Sequence, residues 1–147
     1  YHCMNSIGQM WRAFDLMVER CLSREVHGGL LRTKQFAQGF IADSYMDIQA
    51  SRLMTIHCAE KMHDGHHPRT DISAIKVFVP NAYQRVVDRA MQVFGAAGIT
   101  DDFPLAAMYQ GARSLRIVDG PDEVHRILVA KTVLNHVEHE GSWDFGN

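Results

Sequence analysis

The sequence has little net charge and no long apolar run. Its 147 residues carry 15 Lys and Arg against 17 Asp and Glu, a formal net charge of −2. This balance excludes a protein that binds a polyanion through bulk positive charge, so we expect no nucleic-acid partner. No stretch approaches the ~18 consecutive apolar residues of a membrane-spanning helix, and we expect no membrane span.

Cysteine is also scarce. Cys3, Cys21 and Cys58 are an odd number and form no C-x-x-C pair, which argues against a disulfide framework or a zinc site. A reducing compartment is therefore expected. The 46% hydrophobic and 22% charged shares are typical of a globular protein, and this length favours one domain over residues 1–147.

Apolar residues recur at helical spacing along most of the chain. We expect N-caps at Thr33 and at Thr70 or Asp71, and a kink rather than a break at Pro80. No segment has the two-residue period of a strand, and no repeat of fixed length occurs. The predicted helices are three long ones and a shorter pair, at Ile7–Cys21, Thr33–Met62, Thr70–Val93, Pro104–Leu115 and Val124–Val137.

The predicted fold is therefore all-α, an antiparallel helical bundle. Gly28-Gly29, the polar segment 63–68, Gly95–Gly98 and Asp119-Gly120-Pro121 are the predicted connections. We expect the polar tail 138–147 to fray.

The sequence contains nine histidines, a high number that raises the question of a metal site. His63, His66 and His67 fall in one turn, and His136 and His139 lie three residues apart on a predicted helix. The first group lies in a surface turn and the second near a fraying helix end, without the Glu of an HExxH motif. The pattern favours surface histidines, and no metal site is predicted.

Two other segments carry candidate chemistry. Gly95–Gly98 follows a helix, where small residues either end the helix or let a ligand approach the backbone. Asp119 precedes Gly120-Pro121, so its carboxylate either starts a turn or projects from the bundle as a general base. Residue types alone leave both pairs of alternatives open.

Several separated motifs, taken together and in order, resemble the C-terminal helical domain of the flavin-dependent acyl-CoA dehydrogenases. The resemblance covers residues from about 7 to 134 and is greatest for the branch of family members ten and eleven. The motifs are Arg24-x-x-His27-Gly28, Lys34-Gln35, the run from Gln92 to Thr100, Pro104 with Tyr109, and the run from Leu115 to His125.

The resemblance implies FAD as cofactor and a fatty acyl-CoA as substrate. Asp119 occupies the position of the carboxylate that removes the substrate's α-proton. Arg24 would meet the pyrophosphate region of FAD, which lies between helical domains of two subunits in this family. The other FAD-contacting positions implied are Val26, Gln35, Gln92, Gly95, Ala96, Gly120, Pro121 and Glu123.

Further expectations follow from the resemblance. They are a homo-oligomer, electron-transfer flavoprotein or another electron acceptor as partner, and absent N-terminal helical and middle β-domains. The compartment would be the cytoplasm of a bacterium, or the mitochondrial matrix or peroxisome of a eukaryote. The alternative is a non-catalytic helical bundle that serves oligomerisation or interaction.

The sequence departs from the family pattern at four places. His27 stands where an aromatic residue is usual, Ala96 replaces the second glycine of its loop, and Gln110-Gly111 replaces an Arg-Asp pair. Asp119 is one methylene shorter than the Glu that many relatives carry. Its carboxylate would fall about 1.5 Å short unless the backbone shifts, and a misplacement of that size can cost ~10²-fold in rate.

Overall fold

A computed structural model describes residues 1–145 of the chain, and five α-helices dominate it. The helix containing Pro80 is continuous, in agreement with the prediction that this proline does not break it. No helix within the described part of the chain is long and apolar enough to cross a membrane. The helices are α1 His2–Ser23, α2 Gln35–His63, α3 Arg69–Phe94, α4 Leu105–Ser114 and α5 Asp122–Glu140.

A short hairpin between α1 and α2 corrects the prediction that the chain contains no strand. Strand β1, Glu25–Val26, pairs antiparallel with β2, Gly29–Leu30. His27 and Gly28 both have positive φ, 45° and 78°, as the tightest hairpin turns require. Two residues per strand are too few to produce a visible period in the sequence.

The helix boundaries differ from three predictions. Thr33 ends a 3₁₀ turn, Leu31–Thr33, and its hydroxyl donates to Leu30 O instead of capping α2. Pro68 precedes α3, so neither Thr70 nor Asp71 is its N-cap. Helix α5 continues to Glu140 and ends at Gly141 in the left-handed conformation. The predicted fraying tail is therefore helical at its start, and its last two residues lie outside the described range.

The three long helices alternate in direction. Cys3 Sγ lies 3.6 Å from Ile75 O, and the Arg20 guanidinium stacks over the Phe94 ring, so α1 runs parallel to α3. Helix α2 runs antiparallel to both. Its Asp47 carboxylate accepts hydrogen bonds from Arg85 and Arg89 of α3.

The two shorter helices both run antiparallel to α3. Phe103, just before α4, packs against Phe94, and Leu115 at the other end of α4 lies beside Lys76. Helix α5 starts opposite Asn81 and descends past the beginning of α3. The turn between α4 and α5 is consequently held against the first half of α3.

Small residues make the core face of α2. Ala37, Ser44, Ser51 and Cys58 are buried at intervals of seven residues, with Thr55 beside them. The Thr55 hydroxyl is satisfied by donating to Ser51 O, so its burial leaves no unpaired donor. The larger apolar residues Phe36, Tyr45 and Leu53, which the periodicity assigned to the core, are exposed.

Helix α1 is rotated relative to the predicted apolar stripe. Ile7 and Cys21 are buried as expected, but Trp11 is 57% exposed, and Met10 and Met17 fill the core instead. Helix α5 is the least covered element, because Asp122 is its only buried residue. Its Val124, Ile127 and Leu134 side chains are all exposed.

Candidate functional site

The turn between α4 and α5 projects a carboxylate from the bundle. Asp119 has a φ of 53° and Gly120 a φ of 96°, so two consecutive residues adopt positive φ. Asp is among the few residue types besides Gly that this region tolerates. The Asp119 side chain is 65% exposed, which leaves its carboxylate open to a ligand.

A buried lysine fixes the backbone of this turn. Lys76 of α3 is buried, and its Nζ donates to Leu115 O at 2.8 Å and to Gly120 O at 3.4 Å. His125 bridges from the other side, with Nε2 3.1 Å from Asp119 O and Nδ1 3.2 Å from Ser73 Oγ. The carbonyl groups of Leu115, Asp119 and Gly120 are thereby tied to α3 and α5.

A buried ion pair closes the same turn. Asp122 is 2% exposed, and its Oδ2 accepts hydrogen bonds of 2.9 Å from Arg116 Nε and of 2.9 Å from Asn81 Nδ2. Burial alone would raise the pKa of Asp122, but these hydrogen bonds and the charges of Arg116 and Arg126 lower it. The carboxylate is therefore held in its ionised form.

Sequence reasoning missed this support for the turn. Asp122, Lys76 and Asn81 were not predicted to support it. Two polar residues inside the apolar pattern of α3 were the available signal, because a buried cation or amide requires an acceptor nearby.

One side chain contacts the Asp119 carboxylate. His2, the first residue of α1, has its Nε2 2.7 Å from Asp119 Oδ2, and its own side chain is 46% exposed. The contact joins the start of α1 to the α4–α5 turn. Sequence reasoning did not single out His2.

The remaining predicted cofactor residues form a second group at the opposite end of α1. Arg24 directly follows α1, and Val26 lies in β1. Gln35 begins α2, and Gln92 lies in the last turn of α3. A groove lined by Lys34, Phe36 and Gln92 joins the beginning of α2 to the end of α3.

The backbone at this second end is open. Gly95 has a φ of 66° and a ψ of −140°, a conformation that only Gly adopts readily, and nothing lies within 4 Å of a Cβ placed there. Gly95 and Ala96 are exposed, as are Arg24, Gln35 and Gln92. The predicted contacts of these residues with a cofactor stay predictions.

The two groups are far apart within one chain. The Asp119 carboxylate lies beside His2, whereas Arg24 follows the last residue of α1. The 22 residues of α1 span about 33 Å at 1.5 Å per residue. The structure therefore brings Asp119 together with Gly120, Pro121 and Glu123, and separates all four from the group around Arg24.

The histidines show no shared centre. Across residues 1–145, no three His, Cys, Asp or Glu side chains form a group that could hold a metal ion. His57, His66 and His67 line one shallow groove beside Asp64 and Asp71.

The sequence and the fold both match one enzyme family. The family described as "Acyl-CoA dehydrogenase, C-terminal domain" matches residues 1–134. Acyl-CoA dehydrogenase family member 10 of Mus musculus is 41% identical over 138 residues, which are 92% of this chain and 13% of that protein. Family member 11 of Gallus gallus is 38% identical over 133 residues, 89% of this chain and 17% of that protein.

Solved structures give the same result. An acyl-CoA dehydrogenase from Mycobacterium abscessus aligns with a TM-score of 0.89 and 38% identity, over 91% of this chain and 33% of that chain. Butyryl-CoA dehydrogenase from Megasphaera elsdenii aligns with a TM-score of 0.86 and 26% identity, over 90% and 34%. This chain thus spans less than a fifth of the two curated relatives and about a third of these structures. It belongs to the acyl-CoA dehydrogenase family and corresponds to that family's C-terminal helical domain.

Proposed function

We propose that this chain is the C-terminal domain of an FAD-dependent acyl-CoA dehydrogenase that oxidises a fatty acyl-CoA at its α,β-bond. The family match over residues 1–134 supports the reaction class. An N-terminal helical domain and a middle β-domain would supply the rest of the active site, in keeping with the small share of each relative that this chain spans. The compartment would be the cytoplasm of a bacterium, or the mitochondrial matrix or peroxisome of a eukaryote.

Asp119 is the proposed base, and the geometry of its turn is the observation that carries the proposal. The carboxylate is exposed, and Lys76 and His125 hold the backbone that carries it in one position. A base that removes a proton from a substrate must be positioned in this way. It would take the α-proton of the acyl thioester, and the C–H electron pair would stay on the substrate. The substrate's β-hydrogen leaves as hydride.

FAD, when bound, supplies the acceptor for that hydride. The residues at the Arg24 end fit such a group, because an exposed Arg fork suits a pyrophosphate and the open Gly95 backbone admits close approach. Arg24, Val26, Gln35, Gln92, Gly95 and Ala96 would hold one part of FAD. Gly120, Pro121 and Glu123 would line another.

The separation of the two groups supports a homo-oligomer. One copy would present its Arg24 end and a second copy its Asp119 end to the same FAD. The exposed apolar side chains of α5 are the kind of surface that a further subunit or domain covers. Electrons would then pass to electron-transfer flavoprotein or another acceptor.

The decisive experiment replaces Asp119 by Asn in the full-length protein. We expect acyl-CoA dehydrogenation to fall by ~10²–10⁴-fold with FAD content unchanged, because Asn keeps the side-chain shape and cannot accept the proton. Asp15→Asn, at an exposed position of α1, is the matched control and should retain full activity. Wild-type activity in Asp119→Asn would refute the assignment of the base.

The second candidate, a non-catalytic bundle, is favoured by the exposed apolar side chains of α5 alone. The visible absorbance of the purified full-length protein distinguishes this candidate from the dehydrogenase. Bound flavin supports the dehydrogenase, whereas a flavin-free, self-associating protein supports the bundle.

A further inference from the structure

We propose that His2 is a positioning residue for the base, holding one oxygen of the Asp119 carboxylate so that the other faces the substrate's α-proton. The inference rests on the proposed function, because it assumes that Asp119 is the base. It assigns a second residue to the same step, on a different helix from the turn that carries the carboxylate.

The contact itself is short and well defined. His2 Nε2 lies 2.7 Å from Asp119 Oδ2, a distance typical of a charge-assisted hydrogen bond. An Nε2–H must donate it, since a carboxylate oxygen only accepts. The pair is partly exposed, so its value lies in orientation more than in stability.

The imidazole is held on an ordered part of the molecule. Cys3 and Ser6, next to it on α1, are buried. Cys3 Sγ contacts Ile75 O of α3, and Ser6 Oγ donates to His2 O at 2.8 Å. His2 therefore reaches Asp119 from a turn of α1 that is packed against α3.

The Asp119 carboxylate needs such a partner. Lys76 and His125 bind only backbone carbonyls of the turn, and within residues 1–145 His2 is the one side chain that bonds the carboxylate itself. A short Asp side chain that also rotated freely would present its oxygen to the substrate for a small fraction of the time. With Oδ2 engaged by His2, Oδ1 is the oxygen left to accept the proton.

The proton balance is simple. The α-proton moves to Oδ1 of Asp119, the C–H electron pair stays on the substrate, and His2 keeps its own Nε2 proton. His2 thus orients the acceptor and stays chemically unchanged during the step.

The test compares three variants of the full-length, flavin-loaded protein. His2→Ala removes the donor, and His2→Gln restores an amide donor near the position of Nε2. His139→Ala, at an exposed position of α5, is the matched control. FAD content and the thermal unfolding midpoint, measured for all three, detect a merely structural effect.

We expect kcat to fall about 10- to 100-fold in His2→Ala with little change in KM, because misplacing a reacting group by about 1 Å costs up to ~10²-fold. The kinetic isotope effect of an α-deuterated substrate should rise, whereas that of a β-deuterated substrate should not. His2→Gln should recover at least a third of the loss on a logarithmic scale. His139→Ala should match the wild type in every measurement.

A second measurement isolates proton abstraction from oxidation. An acyl-CoA whose β-carbon bears no hydrogen cannot be dehydrogenated, so deuterium uptake at its α-carbon in D₂O reports the base alone. Exchange should be slowed in His2→Ala by the same factor as kcat and should be nearly absent in Asp119→Asn.

The contrary outcomes separate the two proposals. Wild-type exchange in His2→Ala, with exchange lost in Asp119→Asn, overturns the role of His2 and leaves the base assignment intact. Exchange retained in Asp119→Asn but lost in His2→Ala makes His2 itself the base and overturns both. A loss in His2→Ala that Gln does not rescue, accompanied by lower FAD content or unfolding midpoint, also overturns the proposal.

Discussion

The two ends of the bundle are built in opposite ways. At one end, the Asp119 turn is tied by a buried lysine, a bridging histidine and a buried ion pair. At the other end, Arg24, Gln92 and Gly95 are exposed on the surface. The first end fixes a single carboxylate, and the second leaves donors and open backbone around a groove.

This contrast matches what each end would have to do. Proton transfer is sensitive to displacements of about 1 Å, so the residues around a base must be fixed before the substrate arrives. A dinucleotide contacts many groups at once, so the side chains around it can become ordered when it binds. Exposed donors therefore suffice at the second end. Four predictions test whether residues at the Asp119 end also contribute more to the stability of the fold than residues at the Arg24 end.

The largest effect on stability is expected at Lys76. Lys76→Met keeps the length of the side chain but leaves the Leu115 and Gly120 carbonyls without their donor. We expect the free energy of unfolding to fall by about 2–3 kcal/mol, measured by urea denaturation of this chain. Lys131→Met, at an exposed position of α5, is the control and should change it by about 0.5 kcal/mol or less. An equal loss in both variants would contradict the special role of Lys76.

Asp122 should give a smaller effect that depends on pH. Because its folded-state pKa is lowered, its contribution is fully present above its unfolded pKa of about 3.9 and disappears as pH falls through the folded value. Asp122→Asn should cost about 2 kcal/mol at pH 7. The difference between the wild type and Asp122→Asn should shrink below about pH 4.

Urea denaturation of both proteins between pH 3 and pH 7 measures this difference. Burial would raise the pKa of Asp47, but its hydrogen bonds from Arg85 and Arg89 lower it. Asp47 is present in both proteins, so its pH dependence cancels. A difference that stays constant down to pH 3 would show that Asp122 acts only by its shape.

Two glycine substitutions compare the ends directly. A Cβ at Gly120 would lie 2.9 Å from His125 Nε2, whereas a Cβ at Gly95 would meet nothing within 4 Å. Both residues have positive φ, so both alanine variants are strained, by about 1 kcal/mol each. The free energy of unfolding of Gly120→Ala should fall by about a further 0.5–1 kcal/mol, because His125 must move away and its hydrogen bond to Asp119 O is lost. Equal unfolding midpoints for Gly120→Ala and Gly95→Ala would contradict a difference in packing between the two ends.

The smallest effect on stability is expected at Arg24, whose side chain is exposed. Arg24→Ala should change the free energy of unfolding by about 0.5 kcal/mol or less. In the full-length protein, the same change should lower FAD content, because the proposed pyrophosphate contact is lost. Full FAD content in Arg24→Ala, measured by flavin absorbance, would remove this residue from the proposed cofactor site.

The number, type and order of the helices were predictable because apolar spacing reports directly on helical faces. The core face of α2 was not predictable, since the buried Ser44 and Ser51 are small but polar. Ser51 Oγ donates to Asp47 O within the helix, whereas Ser44 Oγ accepts a hydrogen bond from Arg89 of α3. The prediction that Trp11 is buried was wrong for the converse reason. An apolar side chain can lie on the surface of one domain, and spacing cannot distinguish that surface from a core.

The site was predictable only through resemblance. Asp119 and Arg24 follow from motifs, but His2, which bonds the Asp119 carboxylate, and Lys76, which bonds Gly120 O, lie 117 and 43 positions before Asp119 in the chain. Such pairings depend on how three helices pack, and no local pattern reports them. The hairpin at His27 was missed because two-residue strands carry no period.

The left-handed backbone at residue 119 bears on why this chain has Asp where many relatives have Glu. A φ of 53° is tolerated best by Gly, Asn and Asp, so the turn itself selects among the possible bases. Lengthening the side chain to Glu would gain reach and lose backbone compatibility at the same residue. The identity of this side chain and the shape of the turn beneath it are therefore coupled, so we expect Asp119→Glu alone to strain the turn.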